Sequence, residues 1–286
     1  MEYGGGCVAP FSNGWFDIWI LFRVAGGSPG WQVAGLFVLI DSALDSVLNA
    51  VLDSVLPFAI HSFNPMKSVL SSLVFLLASF LVTLAAEPVR IMAIGDSITQ
   101  GGKTFVTYRL PLDQKLRAAG MKFEFVGSQQ SDGPNGPLWH EGYGGKNAEF
   151  LAGLMPPKLK AAKPDIILLH CGHNHSAEEK PVPGIIAAER AIIEAARKQN
   201  PKVVVLLALV IPSGKLPKYA YLPELNQAEV LLARELHRPD APVLLVDLAT
   251  GFDVAADTIA DRVHPNDRGA EKIAQRWAEV LIPLLK

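Results

Sequence analysis

The stretch IMAIGDSITQGGKT, residues 91–104, begins as a buried apolar strand and then breaks into glycines, hydroxyls and one carboxylate. Two chemistries compete for it. A strand ending in Gly95-Asp96-Ser97 presents Ser97 as a nucleophile. SITQGGKT, residues 97–104, departs from the phosphate-loop pattern G-x-x-x-x-G-K-[ST] at one position only. Residues elsewhere in the chain decide between them.

From residue 87 onward, short β-branched runs alternate with longer amphipathic ones. Strands are expected at residues 89–94, 122–127, 165–171, 202–210 and 242–248, and helices near 107–119, 148–162, 182–199, 223–236 and 267–285. Strands that are apolar on both faces and separated by helices predict one α/β domain over residues 87–286. Its architecture is a three-layer α/β/α sandwich around a central, mostly parallel five-stranded sheet. Ligands in such sheets bind beyond the carboxyl ends of the strands, so the residues just after each strand are where chemistry is sought.

Those positions form a short series. The first strand is followed by Gly95-Asp96-Ser97, the second by a long loop with HEGYGG (140–145), and the third by Gly172-His173-Asn174-His175; DRVHPN (261–266) precedes the last helix. A serine hydroxyl needs an imidazole to take its proton, and the imidazole needs a carboxylate to fix its tautomer. Asp261 and His264, three apart, converge within one turn of chain, which makes Ser97, His264 and Asp261 the candidate catalytic residues. Candidate oxyanion donors are the backbone N–H of Ser97, a backbone N–H in the Gly144-Gly145 turn, and the side-chain amide of Asn174. Gly95 is expected to permit a sharp exit from the strand, Asp96 to hydrogen-bond the loop, and Arg109 to pack or form an ion pair.

Trp139, His140 and Tyr143 in the long loop, with His173, are the candidates for substrate contact; ordinary loop packing is the competing reading of the two aromatics. His170, His173, His175 and His140 invite a metal reading, but no carboxylate or cysteine spacing supports it. Catalysis by Ser, His and Asp requires neither metal nor cofactor, and none is expected.

The joint order of these blocks resembles the SGNH or GDSL hydrolases. GDSIT looks like their nucleophile block, Gly145 matches the block that supplies a backbone donor, GHNH sits where Gly-x-Asn-Asp is usual, and DRVH matches Asp-x-x-His. The resemblance spans roughly residues 88–283 and implies the flavodoxin-like SGNH fold. VRIMAIGDSIT, FEFVGSQ, HEGYGG and HPNDRGAEKIA are most similar to the carbohydrate esterase family 3 (acetylxylan esterase-like) branch. That similarity implies O-acetyl groups on carbohydrates as the substrate, with a lipid or short-chain acyl ester as the alternative. His175 replaces the family's usual Asp, so the turn holding Asn174 is braced differently, and a catalytically inactive glycan-binding module on the same fold is a rival reading.

The phosphate-loop reading has physical reasons against it. Ser97 puts a Cβ where backbone N–H groups wrap phosphates, and Asn174, Asp261 and His264 go unexplained. The sequence VLLVD, ending at Asp247, is its one ally, as an apolar strand with a magnesium-binding Asp.

Charge excludes another class. Of the 26 basic and 28 acidic residues, two and five lie in residues 1–86, which leaves 24 and 23 for the rest and a net charge of +1 there. Such a balance gives no footprint for nucleic acid. Cys7 and Cys171 form no legible disulfide framework.

MKSVLSSLVFLLASFLVTLAAEPV, from Met66, has a start-like Met, one Lys, a long uncharged apolar run and small residues at Ala85 and Ala86. That is the layout of a secretory signal peptide over residues 66–86, and it predicts a secreted or periplasmic protein. An uncleaved membrane anchor is the alternative, since the run is long enough to span a bilayer. Residues 1–65 are rich in Gly, Trp and Phe, and SALDSVLNAVLDSVL (42–56) repeats an apolar pattern at helical spacing without a matching partner. The expectation is that translation starts at Met66 and that 1–65 is an N-terminal extension outside the working protein.

Overall fold

The computed structural model describes residues 15–22, 32–39, 87–105 and 107–286. The chain divides into two units, Met1–Ala86 and Glu87–Lys286. In the first, β1 (Trp15–Phe22) pairs antiparallel with β2 (Gln32–Leu39). The helical pattern at 42–56 and the signal-like segment 66–86 lie outside the described residues. Among the described residues no helix is long and apolar enough to cross a membrane.

The second unit alternates strand and helix as expected. Its order is β3 (Val89–Gly95), α1 (Ser97–Gln100), α2 (Arg109–Ala118), β4 (Phe123–Phe125), β5 (Gln129–Ser131), β6 (Leu138–Gly142), α3 (Ala148–Ala162) and β7 (Ile166–His170). A 3₁₀ turn (Ala177–Glu179) follows, then α4 (Val182–Gln199), β8 (Val204–Leu209), α5 (Leu222–Leu236), β9 (Val243–Asp247), α6 (Val254–Asp257) and α7 (Asp267–Leu285).

The sheet has seven strands rather than five, in the order β5-β6-β3-β7-β8-β9, with β4 also paired to β3. Every pairing is parallel except β5 with β6. On its outer side β3 is shared by two short strands, β4 along Val89–Ile91 and β6 at Ile94 and Gly95. The difference from expectation lies in residues 128–147, read as a long loop. A polar segment pairs there with Leu138–Gly142 across a turn rich in Gly and Pro (132–137), and three polar residues leave little periodic signal.

Strand residues alternate between two apolar layers, as a pleat dictates. Met92, Ile94, Ile167, Leu169, Val205 and Leu207 pack with α3, α4 and α5. Ile91, Ala93, Ile166, Leu168, Leu206 and Ala208 face α2 and α7, where Leu112, Leu116 and Trp277 are fully buried. Both faces of the sheet are therefore covered, and the carboxyl ends of β3, β7 and β8 open along one rim.

Candidate active site

On that rim β3 ends at Gly95, and Asp96 turns the chain into the one-turn helix α1. The Asp96 carboxylate accepts from Ile98 N–H at 2.9 Å, capping the helix whose first residue is Ser97. Buried, this carboxyl is pushed up to about 6, against the opposing pull of the Ile98 bond and the His264 charge.

Ser97 Oγ lies 2.7 Å from His264 Nε2, and His264 Nδ1 lies 2.5 Å from Asp261 Oδ2. The spacing of three works because residues 258–266 close on themselves. Asp261 Oδ1 accepts the backbone N–H groups of Val263 (2.9 Å) and His264 (3.0 Å), Ile259 N–H bonds His264 O, and the Asn266 amide donates to Ala256 O and Thr258 O while capping α7. Partial burial opposes ionisation of Asp261, but the bonds from the His264 ring and both backbone N–H groups prevail and hold its carboxyl below the usual range.

Two residues that sequence reasoning did not single out, Phe105 and Gln100, complete the setting. The Phe105 ring stacks on His264 at 4.2 Å between centroids and 21° between planes. Gly144 N–H donates to Gln100 Oε1 at 2.7 Å, and a Cβ on Gly144 would stand 3.6 Å from Ser97 Cβ, so this turn abuts the nucleophile. Only a glycine followed by a second glycine signals that approach in the sequence; Phe105 sits in a polar loop with no pattern to mark it. With Gly144 N–H engaged, Gly145, at φ 74°, is the residue of the turn left to donate elsewhere. Asn174, at φ 71°, donates its amide to Lys146 O at 2.9 Å, and its second amide hydrogen has no part in that bond.

The four substrate candidates are placed differently. Tyr143 is half-buried on the rim; its hydroxyl donates to Glu141 Oε2 at 2.6 Å and its ring meets Phe150. Trp139 lies on β6, three residues before Gly142, about 10 Å back along the strand. It lines a groove of about 330 Å³ with Arg90, Ser128, Glu141 and Lys158. His140 and His173 are each only 2% exposed, which places them in the packing beneath the rim rather than on it. His140 Nδ1 accepts from Gly142 N–H at 2.9 Å, and burial lowers its pKa to about 3, with Arg109 adding to the effect. His173 stands 3.7 Å from Asp96 Oδ2 and edge-on to Tyr219; burial lowers it to about 3 as well.

Among the described residues no group of three or more His, Cys, Asp or Glu is placed to hold a metal. The phosphate-loop geometry is absent too. That pattern needs a helix beginning at Gly-Lys-Thr, whereas α1 ends at Gln100 and α2 starts only at Arg109. Asp247 caps its own turn, accepting from Ala249 and Thr250 N–H.

A three-layer α/β/α sandwich with serine, imidazole and carboxylate in hydrogen-bonded series at its strand ends is the architecture of a carboxylic ester hydrolase. The chain belongs to the GDSL-like Lipase/Acylhydrolase family, which it matches over residues 93–272. It is similar to a carbohydrate esterase family 3 protein from Talaromyces cellulolyticus, at 27% identity over 69% of this chain and 98% of that one, with a TM-score of 0.63. An acetyl esterase mutant solved with acetate ion is 27% identical over 69% of this chain and 98% of its own, with a TM-score of 0.62. A multidomain esterase of Ruminococcus flavefaciens is 27% identical over 236 residues, which cover 71% of this chain but 29% of that protein. The chain thus spans under a third of that relative and is an esterase of the GDSL family close to carbohydrate esterases.

Proposed function

We propose that the protein is an exported serine esterase that removes O-acetyl groups from carbohydrates. The observation that supports it most is the series Ser97 Oγ, His264 Nε2, His264 Nδ1, Asp261 Oδ2, with links of 2.7 and 2.5 Å. In this reading Ser97 Oγ attacks the ester carbonyl carbon while its proton passes to His264 Nε2, and Asp261 stabilises the imidazolium. The oxyanion is met by Ser97 N–H, Gly145 N–H and the Asn174 amide. Collapse expels the sugar alcohol with the proton from His264; water then enters by the same base, and acetate leaves as Ser97 is restored.

The carbohydrate rests on the similarity to carbohydrate esterases and on aromatic surface near the site, Tyr143 beside Phe150 with Trp139 further along β6. Export rests on the composition of residues 66–86. The purified protein is expected to release acetate from an acetylated glycan and from p-nitrophenyl acetate, and Ser97→Ala to abolish both. Turnover that survives Ser97→Ala sinks the mechanism. A preference for long-chain over acetyl esters moves the substrate to lipids, and glycan binding without hydrolysis makes the chain a binding module.

A further inference from the structure

The position after Asn174 is where the resemblance predicts Asp and this chain has His175. The ring is 8% exposed, and each of its nitrogens faces a carboxylate: Nδ1 is 2.8 Å from Glu179 Oε2 and Nε2 is 2.9 Å from Glu149 Oε2. Both partners are acceptors, so the ring serves both only with a proton on each nitrogen, and both bonds are then charge-assisted. The bond from His175 draws the Glu179 carboxyl below its ordinary range.

What the clamp joins is specific. Glu149 is the second residue of α3, whose cap is Asn147, and its other oxygen rests against α4 at Gly184. Asn174 itself bonds Lys146 O, one residue after Gly145. Two successive residues after β7 therefore grip residues 146–149 at two points, tying the Asn174 amide to the turn that bears Gly145. Asn174 holds a left-handed φ of 71°, which asparagine adopts more readily than other side chains, and the bond to Lys146 O fixes where its amide points. An Asp at 175 has no proton to donate to either glutamate and would add a third carboxylate to the pair.

We propose that His175 is a positioning residue for the oxyanion donors, its two-sided bond to Glu149 and Glu179 holding Asn174 and Gly145 in register with Ser97. This rests on the esterase reading above. Such a role acts on the transition state, so it shows in kcat, and it acts through Asn174, so it shows as non-additivity.

The test is a double-mutant cycle on the full chain with p-nitrophenyl acetate. Asn174→Ala is expected to lower kcat about 10²–10³-fold, as loss of an oxyanion donor does. His175→Ala is expected to lower kcat about tenfold with KM within about twofold, and to cost less than about threefold when added to Asn174→Ala. Glu149→Ala, an exposed helix position that accepts Ala readily, repeats the cycle independently of how His175→Ala folds. Effects that multiply in both cycles, or an unchanged kcat in Glu149→Ala, overturn the proposal while an active wild type leaves the esterase standing. A wild type without esterase activity overturns both.

Discussion

Gly95 is required for a reason other than the sharp turn its position suggests. A Cβ there would lie 2.3 Å from His170 O and 2.4 Å from Thr99 Oγ1, so the glycine lets β7 and α1 close on the end of β3. The end of the strand that leads into Ser97 is thereby held between β7 and α1 before any catalytic partner is considered. Phe105 does the corresponding work for the base: its ring covers one face of the His264 imidazole and limits its rotation. Phe105→Ala is expected to remove about 0.5–1.5 kcal/mol of that support. Steady-state kinetics should then show kcat reduced about 3–10-fold with KM little changed. A KM effect alone would instead make Phe105 a substrate contact.

Arg109, the first residue of α2, governs how the elements near the site are joined. It is fully buried and faces carbonyls rather than an acidic partner: Nε donates to Thr99 O at 2.8 Å, Nη1 to Leu138 O at 2.8 Å, and Nη2 to Gln100 O and Ser131 Oγ at 3.0 Å. Of the two expected roles, packing or an ion pair, the structure shows the first: the buried guanidinium satisfies carbonyls that α1 leaves unpaired at its end and ties them to the β5–β6 hairpin. Burial lowers its pKa to about 10, so it stays charged at neutral pH. Arg109→Met leaves several buried acceptors unmet and is expected to cost at least about 3 kcal/mol. Thermal melting should then fall by about 6–12 °C for a domain of this size. A shift under about 2 °C would show that solvent replaces the clamp.

The same pair of elements marks how far the sequence could be read. Helices α3, α4 and α7 fall on the expected residues because each presents a sustained apolar stripe, and β3, β7, β8 and β9 are apolar runs with few rivals. The hairpin and α1 escaped because strands of three and five residues and a helix of four span too few turns of their pattern to show it repeating. At the site, Ser97, Asp261 and His264 were legible from spacing and residue type, and the structure brings them together. His140 and His173 were not legible as buried, since an imidazole after a strand has the same sequence signature whether it faces solvent or core. Burial is decided by tertiary neighbours such as Tyr219 and Arg109.

At the scale of the whole 87–286 unit, buried ionisable groups of opposite kind are set against each other. His140, His170 and His173 are held neutral by burial, lowered from 6.5 to about 3, 4 and 3. Between those values and 6.5 the unfolded chain binds protons that the native state lacks, so each adds stability as pH rises through that window. Asp96, raised to about 6, behaves in the opposite sense, as do Glu189 on α4 and Glu229 on α5, both raised chiefly by burial, with Glu229 raised further by the charge of Glu189. Above the ordinary carboxylate values of 3.8 and 4.5 the native state keeps protons that the unfolded chain has released, and stability falls with rising pH. Three groups of each sign nearly cancel between about pH 4.5 and 6. Above about 7 the Glu189–Glu229 pair sets the slope, and below about 4 the histidines act in the same sense as the carboxyls held low, Asp247, Asp257 and Asp261, so stability falls with acid. Melting temperature followed by circular dichroism should therefore peak near pH 5–6 and decline toward about pH 8. Glu229→Gln removes one buried carboxyl from the pair and should raise the melting point at pH 8 relative to pH 5.5, leaving the acid limb unchanged. A wild-type melting point at pH 8 that equals the one at pH 5.5, or an alkaline limb untouched by Glu229→Gln, would mean that the pair opens to solvent before it ionises.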